Sequence, residues 1–188
     1  MRKSYQRRHL RAPFNECVLY ADGGFVQKAK ALNISEGGLL LEELPSFPDN
    51  DEVYLMLSLP QLPYFKNFGL IKMQTFSREL LGKNVFRALV RMVRREELSH
   101  DLSNIFKSRF GLEFVKIGAR EKKLVEDYVS TFTSNIIYLQ TLIDTFNSDE
   151  EARMKTRTLA KILGYSEVEK ISQLRSAVTH DYKSLQWL

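Results

Sequence analysis

Two short stretches near the start of the chain hold residues whose types and spacing suit the recognition of a small, flat, negatively charged molecule. One is Arg7-Arg8-His9-Leu10-Arg11; the other is Asn33-Ile34-Ser35-Glu36-Gly37-Gly38, which closes one apolar, strand-like run and opens another. A guanidinium is permanently charged and planar, so it can clamp a phosphate with two parallel hydrogen bonds or lie against a nucleobase, whereas lysine does only the first, and less well. Arginines at R-x-x-x-R spacing therefore suit a nucleotide.

The surrounding chain narrows the chemistry. With 188 residues, 44% apolar and 27% charged, it can bury a real core and is expected to form one domain plus an appendage, or two small domains. The single Cys17 cannot form an internal disulfide and is expected to be a small buried apolar residue on a strand; His9, His100 and His180 are too scattered to pair as metal ligands. No G-x-S-x-G, H-E-x-x-H, Walker loop or recognisable carboxylate pair occurs, so no catalytic residue, metal or cofactor is expected and the chain reads as a binder rather than an enzyme. No apolar stretch approaches the ~20 residues of a membrane helix, and the start lacks the apolar centre of a secretion signal, which leads to the expectation of a cytoplasmic protein. The formal charge of +5 is unevenly spread. Residues 1–120 carry 19 Lys+Arg against 13 Asp+Glu, whereas 121–188 carry 9 against 10. Much of the excess is Arg2, Lys3, Arg7, Arg8 and Arg11, a concentrated arm that fits a compact anion better than a duplex, whose binders spread basic residues over a face.

These residues need a scaffold, and the hydrophobic pattern predicts one in two parts. Cys17 to Tyr20, then Asp22-Gly23-Gly24, then Phe25 to Leu32 read as a hairpin with Lys28 and Lys30 on one face and Ala29 and Ala31 on the other. Leu39 to Leu41, then Val53, Leu55, Leu57 and Leu59 alternating with Tyr54, Met56 and Ser58, then Phe86, Ala88, Val90 and Met92 alternating with Arg87, Leu89, Arg91 and Val93, and finally Phe110 to Val115 continue the strands. A further strand is expected over Phe68 to Phe76. The total of six or seven suits a small antiparallel barrel, whose closure hides the sheet edges. From Ala119 to Phe146 there is no Gly or Pro, and Val125, Val129, Phe132, Ile136, Leu139, Ile143 and Phe146 recur at steps of four and three, which predicts one long helix. The S-x-x-E spacings Ser148/Glu151 and Ser166/Glu169 predict capped starts of two shorter helices over 149–163 and 167–185. The expected division is thus a mainly β domain over 1–120 and an α-helical extension over 121–188.

Arg7-x-x-x-Arg11 followed by Asn33-x-Ser35-x-x-Gly38 at the junction of two strands, ahead of a barrel and a helix, resembles the PilZ domain, the bacterial receptor for cyclic di-GMP. Arg87 to Arg91 and Gly111 to Phe114 are similar to that family's later strands, and the resemblance covers roughly residues 5–130. It implies a PilZ-like β-barrel that takes cyclic di-GMP as ligand, with an arm that wraps the dinucleotide as it arrives. Arg7 and Arg11 then take the phosphates and guanine faces, Asn33 a guanine edge, Ser35 offers a hydroxyl, and Gly37 and Gly38 allow close backbone approach. Arg8 and His9 lie within the arm, and the resemblance assigns neither a role; Arg8 is a candidate ligand-binding residue by its charge and place in the arm.

The resemblance also implies a signalling output in which ordering of the arm alters contact with an unidentified protein partner. The helix 119–146 is a candidate surface for a homo-oligomer, its seam otherwise packing within the chain. DNA is disfavoured as a partner: Leu159 to Ser166 resembles the first helix and turn of a helix-turn-helix, but Glu167 and Glu169 would set carboxylates against phosphates. The competing expectation is a degenerate, purely protein-binding adaptor that takes no nucleotide.

Overall fold

The computed structural model describes residues 9–42, 44, 50–97, 108–147, 149–166 and 168–185. Six strands, β1 (Ala12–Asp22), β2 (Phe25–Ser35), β3 (Gly38–Glu42), β4 (Glu52–Pro60), β5 (Lys83–Glu97) and β6 (Ser108–Lys116), close into a barrel in the order β1-β2-β3-β6-β5-β4. Neighbours β1/β2, β1/β4, β2/β3, β3/β6 and β5/β6 are antiparallel.

The alternation of residue types determines which side chains fill the barrel. Phe14, Val18 and Tyr20 of β1, Ala29, Ala31 and Ile34 of β2, and Leu39 and Leu41 of β3 are buried. So are Val53, Leu55, Leu57 and Leu59 of β4, Phe86, Ala88 and Val90 of β5, and Phe110 and Leu112 of β6. Small Ala29 and Ala31 face inward beside the large Phe14 and Tyr20, as a tapering barrel interior requires. The same parity overturns the expectation for Cys17. With Val18 and Tyr20 inward, residue 17 must point outward, and the thiol is exposed.

Among the described residues, four α-helices follow the strands or interrupt them: α1 (Leu70–Gln74), α2 (Ala119–Asp144), α3 (Glu150–Ile162) and α4 (Ile171–Leu185). The chain clusters into two compact units, one of residues 7–59 and 83–129 and one that includes 60–82 and 130–188. In the first unit the opening of α2 supplies Tyr128, whose hydroxyl donates to the Pro13 carbonyl at 2.8 Å and whose ring meets Phe14 edge-on at 5.7 Å. In the second, the segment between β4 and β5 forms a knot of aromatic rings, with Phe65 set edge-on to both Phe68 and Phe76. Asn135 of α2, 1% exposed, accepts the Phe65 N–H at 3.0 Å and donates to the Pro63 carbonyl at 2.9 Å. The two ends of the segment are joined by a hydrogen bond from the Gln61 N–H to the Gly82 carbonyl at 2.8 Å.

Two sequence expectations fail in this second unit. Phe68 to Phe76 is not a strand but contains α1, preceded by a 3-10 turn over Phe65–Asn67. Its phenylalanines gather around one point rather than alternating between faces. The helix starts also differ. The cap of α3 is Asp149, whose carboxylate accepts the Ala152 N–H at 2.6 Å, while Ser148 lies outside the described residues. Helix α4 begins at Ile171, past the expected Ser166/Glu169 box. Six residues of the seam expected on the long helix are buried, Val125, Val129, Phe132, Ile136, Leu139 and Ile143, whereas the seventh, Phe146, lies past the end of α2 and is only partly buried.

Candidate ligand-binding site

Strand register gathers the signature residues that the structure describes. Ala12 opposes Ile34 and Pro13 opposes Asn33 across β1/β2, so Arg11, one residue before the first of these pairs, comes level with Ser35. Across β2/β3, Asn33 opposes Leu40 and Ser35 opposes Gly38. Across β3/β6, Gly38 opposes Glu113 and Leu40 opposes Gly111. Residues separated by up to a hundred positions therefore meet where β1 begins, β2 ends and β3 begins. Arg11 and Asn33 are half-buried there. Arg7 and Arg8 lie outside the described residues.

Each residue of the β2–β3 turn has a local task. Ser35 is buried, and its hydroxyl donates to the Gly38 carbonyl at 3.2 Å, closing the turn; its proton is thereby committed and only its lone pairs remain to meet a ligand. Gly38 has φ +153°, and a Cβ on it would lie 1.9 Å from the Leu112 carbonyl oxygen. The glycine thus admits the backbone of β6. The Gly37 carbonyl accepts the Phe114 N–H at 3.0 Å, tying the turn to the same strand.

Sequence reasoning missed two features at this site. Arg91 Nη2 of β5 meets Glu113 Oε1 of β6 at 3.0 Å beside Gly38, so these two later strands bring an ion pair to the edge of the turn. His9 approaches the turn from the arm, with Nδ1 3.7 Å from Glu36 Oε2 and its ring against Gly37. Neither pairing has a fixed spacing in sequence that could have revealed it. An open cavity of about 440 Å³ lies elsewhere on the β1/β2 wall, lined by Asn15, Glu16, Cys17, Lys28, Ala29 and Lys30, and contains none of the signature residues.

The gathered groups are a guanidinium, an amide, a hydroxyl oxygen and glycine backbone, which can hold an anion and read the edge of a ring. Among the described residues no cluster of His, Cys, Asp or Glu could hold a metal ion, and no helix is long and apolar enough to cross a membrane.

A family model for the PilZ domain matches residues 5–131. No curated protein matches the chain. Solved structures that the chain is similar to include the Bacillus subtilis inhibitor of motility, MotI/DgrA, at 16% identity and a TM-score of 0.47, covering 66% of this chain and 50% of that one. The PilZ domain of Escherichia coli YcgR with c-di-GMP is similar at 12% identity and a TM-score of 0.42, covering 67% of this chain and 90% of that one. A structure of YcgR in complex with c-di-GMP gives 11% identity and a TM-score of 0.40, over 66% of this chain and 45% of that one. The chain thus spans about half the length of MotI/DgrA.

Proposed function

The chain belongs to the PilZ domain family, and from that premise we propose that it is a cytoplasmic receptor for cyclic di-GMP that binds through Arg7, Arg8, Arg11, Asn33, Ser35, Gly37 and Gly38. The observation that carries this reading is the β1/β2/β3 register, which brings Arg11, one residue before the Ala12/Ile34 pair, level with Ser35 and sets Asn33 two rungs along. The dinucleotide supplies two phosphates for the guanidinium groups and two guanines for stacking and edge recognition. Binding reorders the arm, and the changed surface alters contact with a protein partner.

Magnitudes make every arginine count. Ordering each backbone residue costs about 1–2 kcal/mol, while each charge-assisted hydrogen bond returns about 1.5–3 kcal/mol. A micromolar complex needs about −8 kcal/mol after those costs. Loss of one guanidinium, with two such bonds, is therefore expected to weaken binding by about a hundredfold or more. Isothermal titration with cyclic di-GMP tests this directly. Wild type should bind at micromolar affinity or better, Arg7→Ala and Arg11→Ala should give no usable heat with their folds intact, and Arg11→Lys should recover only part. Wild-type affinity in Arg11→Ala removes the site. No heat from wild type at millimolar ligand leaves the protein-binding adaptor as the reading.

A further inference from the structure

His9 sits inside the R-x-x-x-R spacer, where the arginine motif asks for nothing in particular. Its imidazole nevertheless lies flush with the backbone of the β2–β3 turn. A Cβ placed on Gly37 would stand 2.8 Å from Cδ2, 3.5 Å from Nε2 and 3.7 Å from Cγ, so the ring occupies the space that any other residue at 37 would need for its side chain. Nδ1 is 3.7 Å from Glu36 Oε2, with both side chains partly exposed. Gly37 is not among the glycines with positive φ, unlike Gly38, so its backbone conformation does not demand glycine. A side chain there would instead displace the ring.

Three residues after His9, Ala12 opposes Ile34 in the β1/β2 ladder. The run from residue 9 to residue 12 is therefore fastened at both ends to one segment, residues 34–37, by a ring seated on Gly37 at one end and by strand pairing at the other. Arg11 lies between the two fastenings. Resting on the receptor reading above, we propose that His9 is a positioning residue for cyclic di-GMP: its ring, seated on Gly37 and steered by Glu36, holds the arm on the turn and fixes the backbone of Arg11 before the ligand arrives. Part of the ordering that the arm must undergo is then complete in the free protein, and affinity rises by the entropy no longer lost on binding.

The test uses the full chain, cyclic di-GMP and four variants: His9→Ala, His9→Phe, Gly37→Ala and the His9→Ala/Gly37→Ala pair. Without ligand, the Gly37 Hα resonance should carry a ring-current shift that disappears in His9→Ala and persists in His9→Phe. With ligand, His9→Ala should bind about tenfold more weakly, the size of one residue's backbone ordering, with the loss appearing in the entropy of binding. His9→Phe should recover most of that affinity, which a role in general stability would not explain if all melting temperatures agree. Gly37→Ala should weaken wild type by a similar factor and His9→Ala by much less, because the ring it collides with has gone. If wild type binds and His9→Ala binds equally well, or if His9→Phe is as weak as His9→Ala, the proposal fails while the receptor reading stands. An unchanged Gly37 resonance in His9→Ala also overturns it. If wild type gives no heat at all, the receptor reading itself fails and takes this proposal with it.

Discussion

At the scale of single residues, adjacent glycines in the β2–β3 turn do different jobs. Gly38 accommodates a backbone: φ of +153° and the Leu112 carbonyl 1.9 Å from a would-be Cβ leave no room for a side chain. Gly38→Ala is expected to destabilise the barrel by about 2–5 kcal/mol, from left-handed strain and overpacking together, as read by chemical denaturation. Gly37→Ala is expected to leave that midpoint nearly unchanged, since the exposed His9 side chain can move aside. The motif implies both glycines as ligand-approach positions; it records that small residues are needed and does not reveal the protein neighbours that also crowd them. Ser35 is similar. Its residue type was legible as a hydrogen-bonding group, but its partner, the Gly38 carbonyl three residues on, depends on the turn geometry.

At the scale of elements, legibility followed periodicity. β4 alternates Val53, Leu55, Leu57 and Leu59 with Tyr54 and Met56, and its burial does the same; the α2 seam repeats at helical steps and is buried from Val125 to Ile143. Residues 60–82 have no such period, and their order comes from afar. Asn135, seventy residues after Phe65, supplies the hydrogen bonds that the backbone of this segment lacks. Asn135→Ala leaves a buried N–H and a part-buried C=O without that partner and is expected to cost about 1–3 kcal/mol for the first and less for the second, measured as a fall in the melting temperature of the helical unit. Tyr165 has a comparable role near α4. Its hydroxyl bonds to the Asp181 carboxylate at 2.5 Å, and burial first, then that bond and the carboxylate's charge, push the phenol well above its ordinary range. A raised pKa in the folded state contributes stability that is present below the unfolded phenol's value of about 10 and lost as pH climbs past it. Wild type should therefore lose stability above about pH 10 more steeply than Tyr165→Phe, which should be weaker by about 1.5–3 kcal/mol at neutral pH; urea melts of both proteins at pH 7 and above pH 10 check the sign.

For the whole molecule, the division at 120/121 suggested by the change of hydrophobic period becomes a proposal of two units with interleaved chain segments. Composition reads along the chain and cannot see that 60–82 clusters with 130–188, or that Tyr128 of α2 clusters with β1. If the units open independently and the receptor reading holds, ligand at a hundred times its Kd should raise the opening free energy of the barrel amides by about 2.7 kcal/mol and leave α3 and α4 unchanged in hydrogen exchange. Equal protection of all slow amides would mean that the chain opens as one body.

The hydrogen bond between Gln61 and Gly82 has a practical corollary for cutting the molecule apart. An excursion of some twenty residues departs and returns through a neck one peptide wide, so a tight two-residue splice could stand in for it. Trimming the C-terminus alone would strip that excursion of Asn135 and leave its phenylalanines bare to water. A minimal receptor therefore calls for both operations at once: the splice across the neck and a new terminus placed beyond Tyr128.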